Sequence, residues 1–389
     1  LTKNKTHPYF GKKIIIKKID KYESILKDNY VIIDEKKRKE IITKQLNKKI
    51  NIIDESLLEE VTYLCEYPTV LEIEFPKEFL NIPDEVLTQC LKKHQKAFTI
   101  FDNNKLTNQA IIIADSITKN NINTIINGNQ KVLMARLNDM KFFWESDLKT
   151  GSFEKWNKKL KEIIFQENFG TIYDKVERIT NICNTICDQL KISNKNKSII
   201  ERAVHRCKSD LVSQMVNELP ALQGTMGAYY AINFNEDPEV AIAIQNHYLP
   251  KYDGDQLPVN TPEIVISIAD RIDTIIACYE NNAIPTGSRD PWGIRRSMIA
   301  IARIIIKNEI KLNLEELIEN TTLTLNKKIG DNTNKCKDFF KQRIEYVLDE
   351  LNISNDIIKF LNKELLSCPL NVFNQANLLN TLKNTNKET

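Results

Sequence analysis

The chain has 389 residues, 42% hydrophobic and 28% charged, with a formal net charge of +3. That length exceeds a single small core and implies two or three domains in a chain of ordinary globular composition. No run of about eighteen apolar residues occurs, which argues against a membrane-spanning helix. The polar opening "LTKNKTHPYFGKK" lacks the apolar core of a secretion signal, and a start at Leu1 rather than methionine leads us to expect a fragment.

Taken in chain order, residues 1–155 mix short apolar runs with helical periodicity. "KKIIIKKI", "PTVLEIEF", "KAFTIFD" and "QAIIIAD" read as strands; "DEKKRKEIITKQLNKK" and "DESLLEEVTYLCEY" read as helices. This predicts an α/β or α+β domain. Beyond "WESDLKTGSFEKW" the period turns helical and stays so. Residues 156–312 are expected to form an all-helical domain and 313–389 a helical segment, with "ANLLNTLKNTNKET" fading into a polar tail.

Three helix starts are readable. "SIIERAVHRCKSDLVSQMVNELP" places Ser198 and Glu201 in capping-box spacing, and Pro220 ends it. "TPEIVISIADRIDTIIACYE" offers Thr261 as a cap with Pro262 at the first helical position. "DPWGIRRSMIAIARIII" repeats that device with Asp290 and Pro291.

Of the eight cysteines, only Cys183 and Cys187 lie close together, on one apolar helix face, and no CxxC pair occurs. Buried reduced thiols and a reducing cytoplasm follow. Lysine is abundant throughout, so arginine is the more informative cation. Seven of the eleven arginines fall in one window: Arg202, Arg206, Arg271, Arg289, Arg295, Arg296 and Arg303. Five of the ten glycines (Gly224, Gly227, Gly254, Gly287 and Gly293) fall in nearly the same window. Forked cations and permissive backbone together point to anion or phosphate recognition.

On a helix starting at Asp290, Arg296, Arg303 and Lys307 fall within about 20° of one another, while Ile294, Ile301 and Ile305 face a core. The "PTGSRD" loop, with Pro285 and Gly287, brings Arg289 to a helix N-terminus, where free N–H groups favour anions. Gly224 and Gly227 signal close backbone approach near Tyr229 and Tyr230, tyrosines that could also stack on a base. His205, Asp210, Asp270 and Asp273 invite comparison with a metal-dependent phosphohydrolase of HD type. The adjacent His-Asp pair of that chemistry is missing: Lys208, Ser209 and Asp210 stand in its place, and a lysine opposes a divalent cation. On a continuous helix His205 and Asp210 point about 140° apart. No GxxxxGK[ST], GxGxxG or GxSxG motif occurs, so no metal site and no catalytic residue is expected on this chain.

The blocks "ELPALQGTMGAYYA", "VAIAIQNHYLP", "ADRIDTI" and "PTGSRDPWGIRRSMIAIARIII" resemble the signature segments of the bacterial glycyl-tRNA synthetase beta subunit. "HPYFGKKIIIKKIDKY", "EFPKEFLNIPDEVLTQCLKKHQKAFTIFDNNKL", "INGNQKVLMARLNDMKFFWESD" and "FGTIYDKVERI" extend the likeness in the expected order, over roughly residues 7–310.

The resemblance implies an N-terminal portion like the editing-type domains of the phenylalanyl enzyme's beta subunit, a degenerate HD-like domain, and a segment leading toward an anticodon-binding domain. It places glycine activation, with ATP and Mg, on an alpha subunit in an alpha2beta2 assembly. This chain would then bind tRNA(Gly) and hold no cofactor, in the cytoplasm and away from any membrane. Arg289, Arg295, Arg296, Arg303, Lys307, Arg136 and Lys208 are the expected tRNA contacts. Gly224, Gly227, Asp270, Asp273, Pro285, Gly287, Asp290 and Pro291 are the expected structural positions. An HD-type phosphohydrolase and an assembly scaffold without RNA contact are the alternatives.

Overall fold

The computed structural model describes residues 2–385 apart from 6–12, 17, 51, 116, 119, 288 and 326–327. His7 and the start of the "HPYFGKK" block therefore lie outside the described residues. The chain divides into two compact units, Leu1–Lys149 and Thr150–Thr389.

The first unit begins with an antiparallel strand pair, β1 (Thr2–Lys5) and β2 (Lys13–Ile16), followed by helices α1 (Tyr22–Lys27), α2 (Glu35–Leu46) and α3 (Glu55–Leu64). The Asp34 and Asp54 carboxylates cap α2 and α3 by accepting from Lys36 N–H and Leu57 N–H. Then come β3 (Thr69–Glu74), α4 (Asp84–Gln95), β4 (Phe98–Asp102), β5 (Lys105–Ala114) and the long α5 (Ile122–Leu148).

The three strands form an antiparallel sheet in the order β3-β5-β4, pairing Leu71 with Ile112 and Phe98 with Ile111. Asn103 and Asn104 close the β4–β5 hairpin at φ 48° and 61°. Asparagine tolerates the left-handed region that such a two-residue turn requires. Leu71 and Ile73 are buried while Glu72 and Glu74 are exposed, the alternation of a half-buried strand. Ile42, Leu46, Leu57, Leu58, Val61, Phe98 and Ile111 make the core between sheet and helices.

The second unit is helical: α6 (Phe153–Lys159), α7 (Ile172–Gln189), α8 (Asn194–Val204), α9 (Gln214–Glu218), α10 (Thr225–Asn233), α11 (Pro238–Asn246), α12 (Thr261–Glu280), α13 (Ile294–Lys307), α14 (Leu314–Thr324), α15 (Asp331–Glu350), α16 (Asn355–Leu361) and α17 (Pro369–Thr385). Its axis is α12, buried nearly all round and packed on α7, α8, α11, α13, α14 and α15. A helix enclosed in this way is largely apolar, and the polar side chains that α12 does bury, Glu263, Ser267 and Asp273, need partners. The cysteines are free thiols, all buried except the half-buried Cys368. Among the described residues no helix is long and apolar enough to cross a membrane.

Several boundaries differ from the sequence reading. The cap of α8 is Ser193 rather than Ser198, and the helix stops at Val204, giving way to a 3-10 turn (Ser209–Val212) and the short α9. His205 and Asp210 thus share no continuous helix. The cap of α12 is Asn260, one residue before Thr261. The expected polar tail is instead helix through Thr385.

Candidate nucleic-acid interface

Helix α13 carries the arginine-rich stretch. Ile294, Ile301 and Ile305 are fully buried, as the periodicity requires. Its start is not at Pro291: Asp290, Pro291, Trp292 and Gly293 form a turn, and Gly293, at φ 63°, precedes the first helical residue. The Asp290 carboxylate reaches forward to accept from Ile294 N–H at 2.8 Å and Arg295 N–H at 3.0 Å. The first amides of α13 are therefore satisfied from within the chain, so the expected open anion site at this helix end is not there.

The arginines of the window separate into two groups. Arg202 and Arg206 clamp Glu236, at 2.5 and 2.7 Å. Arg271 is sunk among main-chain carbonyls, donating to those of His247 (3.1 Å), Tyr248 (2.9 Å) and Pro250 (3.0 Å). Burial lowers its pKa to about 10 and leaves it a brace for that loop. Arg303 pairs with Asp253 at 2.5 Å and Glu350 at 2.8 Å.

By contrast, Arg289, Arg295, Arg296 and Lys307 make no ion pair among the described residues, and all but the half-buried Arg295 are exposed. Arg289 closes a tight turn with Thr286 around Gly287, which sits at φ 49° beyond Pro285. Arg136 is in the first unit, exposed on α5 and 3.6 Å from Asp139.

Lys208 requires a correction. Expected as an RNA contact, it is only 4% exposed, and its ammonium lies 2.7 Å from Asp270 Oδ2 and 2.9 Å from His247 Nε2. It also sits over the Tyr248 ring at 4.0 Å. A cation so enclosed has no phosphate within reach.

Around it lies a buried charge network that the sequence did not disclose. Lys175 contacts Asp270 at 2.8 Å and Asp273 at 3.0 Å, and Arg178 holds Asp273 at 2.6 Å. Burial opposes ionisation of Asp270, but Lys175 and Lys208 outweigh it and hold the carboxyl well below the usual range. Burial, reinforced by Lys208, keeps the His247 pKa well below that of a free imidazole. Among the described residues no three of His, Cys, Asp and Glu converge as a metal-binding group. An ammonium occupies the place between carboxylate and imidazole.

Asp210 does a separate job at the N-terminus of α10. Its Oδ2 accepts from Gly224 N–H at 2.6 Å and Gly227 N–H at 3.1 Å. Burial pushes this carboxyl up to about 6, against the partial relief of those N–H groups and Lys208. Both glycines are needed for close approach: a Cβ at Gly224, already at φ 82°, would meet Tyr248 at 2.5 Å, and one at Gly227 would meet Ile244 at 2.7 Å. Tyr230 is buried against Trp156 at 4.7 Å between ring centroids, so it offers no face to a base.

Beside α13 an open cleft of about 610 Å³ brings Arg296 and Arg303 together with Lys251, Tyr252, Trp292 and Tyr346. Asp270, Arg271 and Tyr248 also line it. Arg289, Arg295 and Lys307 lie outside it. The aromatic members were missed because they come from three separate stretches of chain.

Comparison with known proteins adds what geometry alone lacks. The family model described as the glycyl-tRNA synthetase beta subunit matches residues 2–362. The glycine–tRNA ligase beta subunit of Oceanobacillus iheyensis is 36% identical over 388 residues, 97% of this chain and 56% of that protein. The one from Halothermothrix orenii is 37% identical over 379 residues, covering 96% of this chain and 55% of that protein. The one from Coxiella burnetii (strain Dugway 5J108-111) is 42% identical over 318 residues, 80% of this chain and 45% of that protein. The chain thus spans about half the length of these curated relatives. With that match running through both units, the chain belongs to the glycyl-tRNA synthetase beta subunit family.

Proposed function

We propose that this chain is the portion of a glycine–tRNA ligase beta subunit that grips tRNA(Gly), in the cytoplasm, while an alpha subunit carries out ATP- and Mg-dependent glycylation in an alpha2beta2 assembly. The observation that carries the reading is the set of uncompensated cations on and beside α13. Arg289, in the turn before the helix, and Arg295, Arg296 and Lys307, on a helix whose other face is locked into the core, stand without acidic partners among the described residues. Phosphates are the dense anions that reward such a surface, and RNA duplexes are read largely through backbone and shape.

In this reading Arg303 braces the helix through Asp253 and Glu350, and Arg136 adds a contact from the first unit. The reading of the first unit as editing-type in fold is carried as part of this proposal, and no editing chemistry is assigned to it. The Lys208 ammonium between Asp270 and His247 weighs against the phosphohydrolase alternative, because a divalent ion would have to displace a held cation.

The test is binding of a tRNA(Gly) transcript, with glycine-dependent pyrophosphate exchange measured alongside. The expected result is salt-sensitive binding and no exchange by the chain alone. Robust exchange without an alpha subunit, or no tRNA binding even at low salt, would overturn the proposal.

A further inference from the structure

We propose that the cleft beside α13 receives one unpaired nucleotide, its base against Trp292 and Tyr252 and its phosphate on Arg296 and Lys251. This rests on the RNA-binding reading above and deepens it: the exposed cations grip backbone, and the cleft selects a single-stranded position.

Three observations carry it. The first is size: about 610 Å³ lies within the roughly 300–1,000 Å³ of sites for small molecules. A duplex keeps its bases stacked inside and presents backbone, so only an unpaired nucleotide can put a base into such a space. The second is the aromatic lining. Tyr252 is 65% exposed, Tyr346 47% and Trp292 42%, all on the one cleft. Phe165 stands edge-on to Trp292 at 6.0 Å, fixing the indole while much of it stays open. Exposed rings gathered on one concavity suit a planar ligand, and stacking tolerates any base.

The third is the division of charge. Arg303 is engaged by Asp253 and Glu350, and the Asp270 carboxylate is matched by Lys175 and Lys208. Arg296 and Lys251 make no ion pair among the described residues and are exposed. The cleft therefore keeps cations for a phosphate while its buried carboxylate is already compensated.

The experiment measures anisotropy of two labelled RNA hairpins, identical except that one is blunt and the other ends in a short unpaired extension. AMP serves as competitor, and Trp292→Leu and Tyr252→Leu are compared with the unaltered chain, with melts confirming that each folds. The extended hairpin should bind roughly tenfold more tightly than the blunt one, from stacking of its free bases. Each substitution should bring the ratio of affinities toward one, and the extension should quench tryptophan fluorescence less in Trp292→Leu. Competition by AMP against the extension alone would support the cleft as the seat of the preference.

Equal binding of both hairpins, or a preference that survives both substitutions, would overturn the inference while leaving the RNA-binding reading intact. Failure of both RNAs to bind would overturn that reading and this inference with it. Saturable AMP binding without any preference between hairpins would assign the cleft to free nucleotides and overturn the proposed RNA ligand.

Discussion

Asp210→Asn is the sharpest test of how the second unit is held together. The carboxyl is fully buried, one oxygen takes two backbone N–H groups, and its pKa stands at about 6. In an unfolded chain an aspartate titrates near 3.9. A raised folded value means that the native state prefers the protonated form. Ionisation therefore costs stability above pH 6, and the cost vanishes below about 3.9. At about pH 8 it amounts to about 3 kcal/mol, from 1.36 kcal/mol for each unit of pKa. Asparagine keeps one carbonyl oxygen for Gly224 N–H and Gly227 N–H and carries no charge.

The stability of Asp210→Asn minus that of the unaltered chain should thus rise by about 2 kcal/mol between about pH 4 and about pH 8. The depressed His247 and Asp270 make both proteins less stable in acid, since the unfolded state takes up their protons first, and that loss cancels in the difference. Urea unfolding at several pH values supplies the numbers. A difference that is flat with pH, or one that falls toward alkaline pH, would refute the reasoning.

Further predictions concern packing and charge. Asp273→Ala should lose about 3–5 kcal/mol by thermal or urea unfolding, because it removes the buried carboxylate that pairs both the buried Lys175 and the part-buried Arg178. Arg303→Gln removes only a surface pairing and should cost about 1 kcal/mol or less in the same measurement. Ile301→Ala should destabilise by about 2–5 kcal/mol, and a loss below about 1 would show that α13 is not anchored as described. Gly227→Ala should cost more than a typical surface change, because its Cβ collides with Ile244 and crowds Asp210; melting at an unchanged temperature would deny the close approach.

Much of the architecture was legible. Strands β2 to β5 announced themselves as short apolar runs, and α12 as an apolar stretch with a proline at its start; β1, in the polar Thr2–Lys5, did not. The buried face of α13 followed from the isoleucine spacing alone, since 3.6-residue periodicity needs no tertiary information. Helix starts were less legible. The Pro-Trp-Gly turn lets Asp290 cap α13 from four residues before Ile294, whereas the sequence suggested an immediate start.

Charge was the least legible. Lys175 and Asp273 meet from 98 positions apart, and Lys208 turns inward because α8 ends at Val204. Composition marks a window as rich in arginine; it does not say which arginines have acids waiting for them. Arg202, Arg206 and Arg303 do, and Arg271 has carbonyls.

The central claim, that α13 and its preceding turn meet RNA phosphates, is tested most directly by the salt dependence of tRNA(Gly) binding. The chain is compared with a variant combining Arg289→Gln, Arg296→Gln and Lys307→Gln, each an exposed position expected to cost within about 0.5 kcal/mol of stability. Removing one cation from a phosphate should make the slope of log affinity against log salt shallower by up to about one unit, and by about 0.7 where the RNA is single-stranded. The account predicts a melt near that of the unaltered chain together with a slope shallower by about two to three units. The same melt with an unchanged slope and affinity would contradict it, leaving these cations as solvated surface.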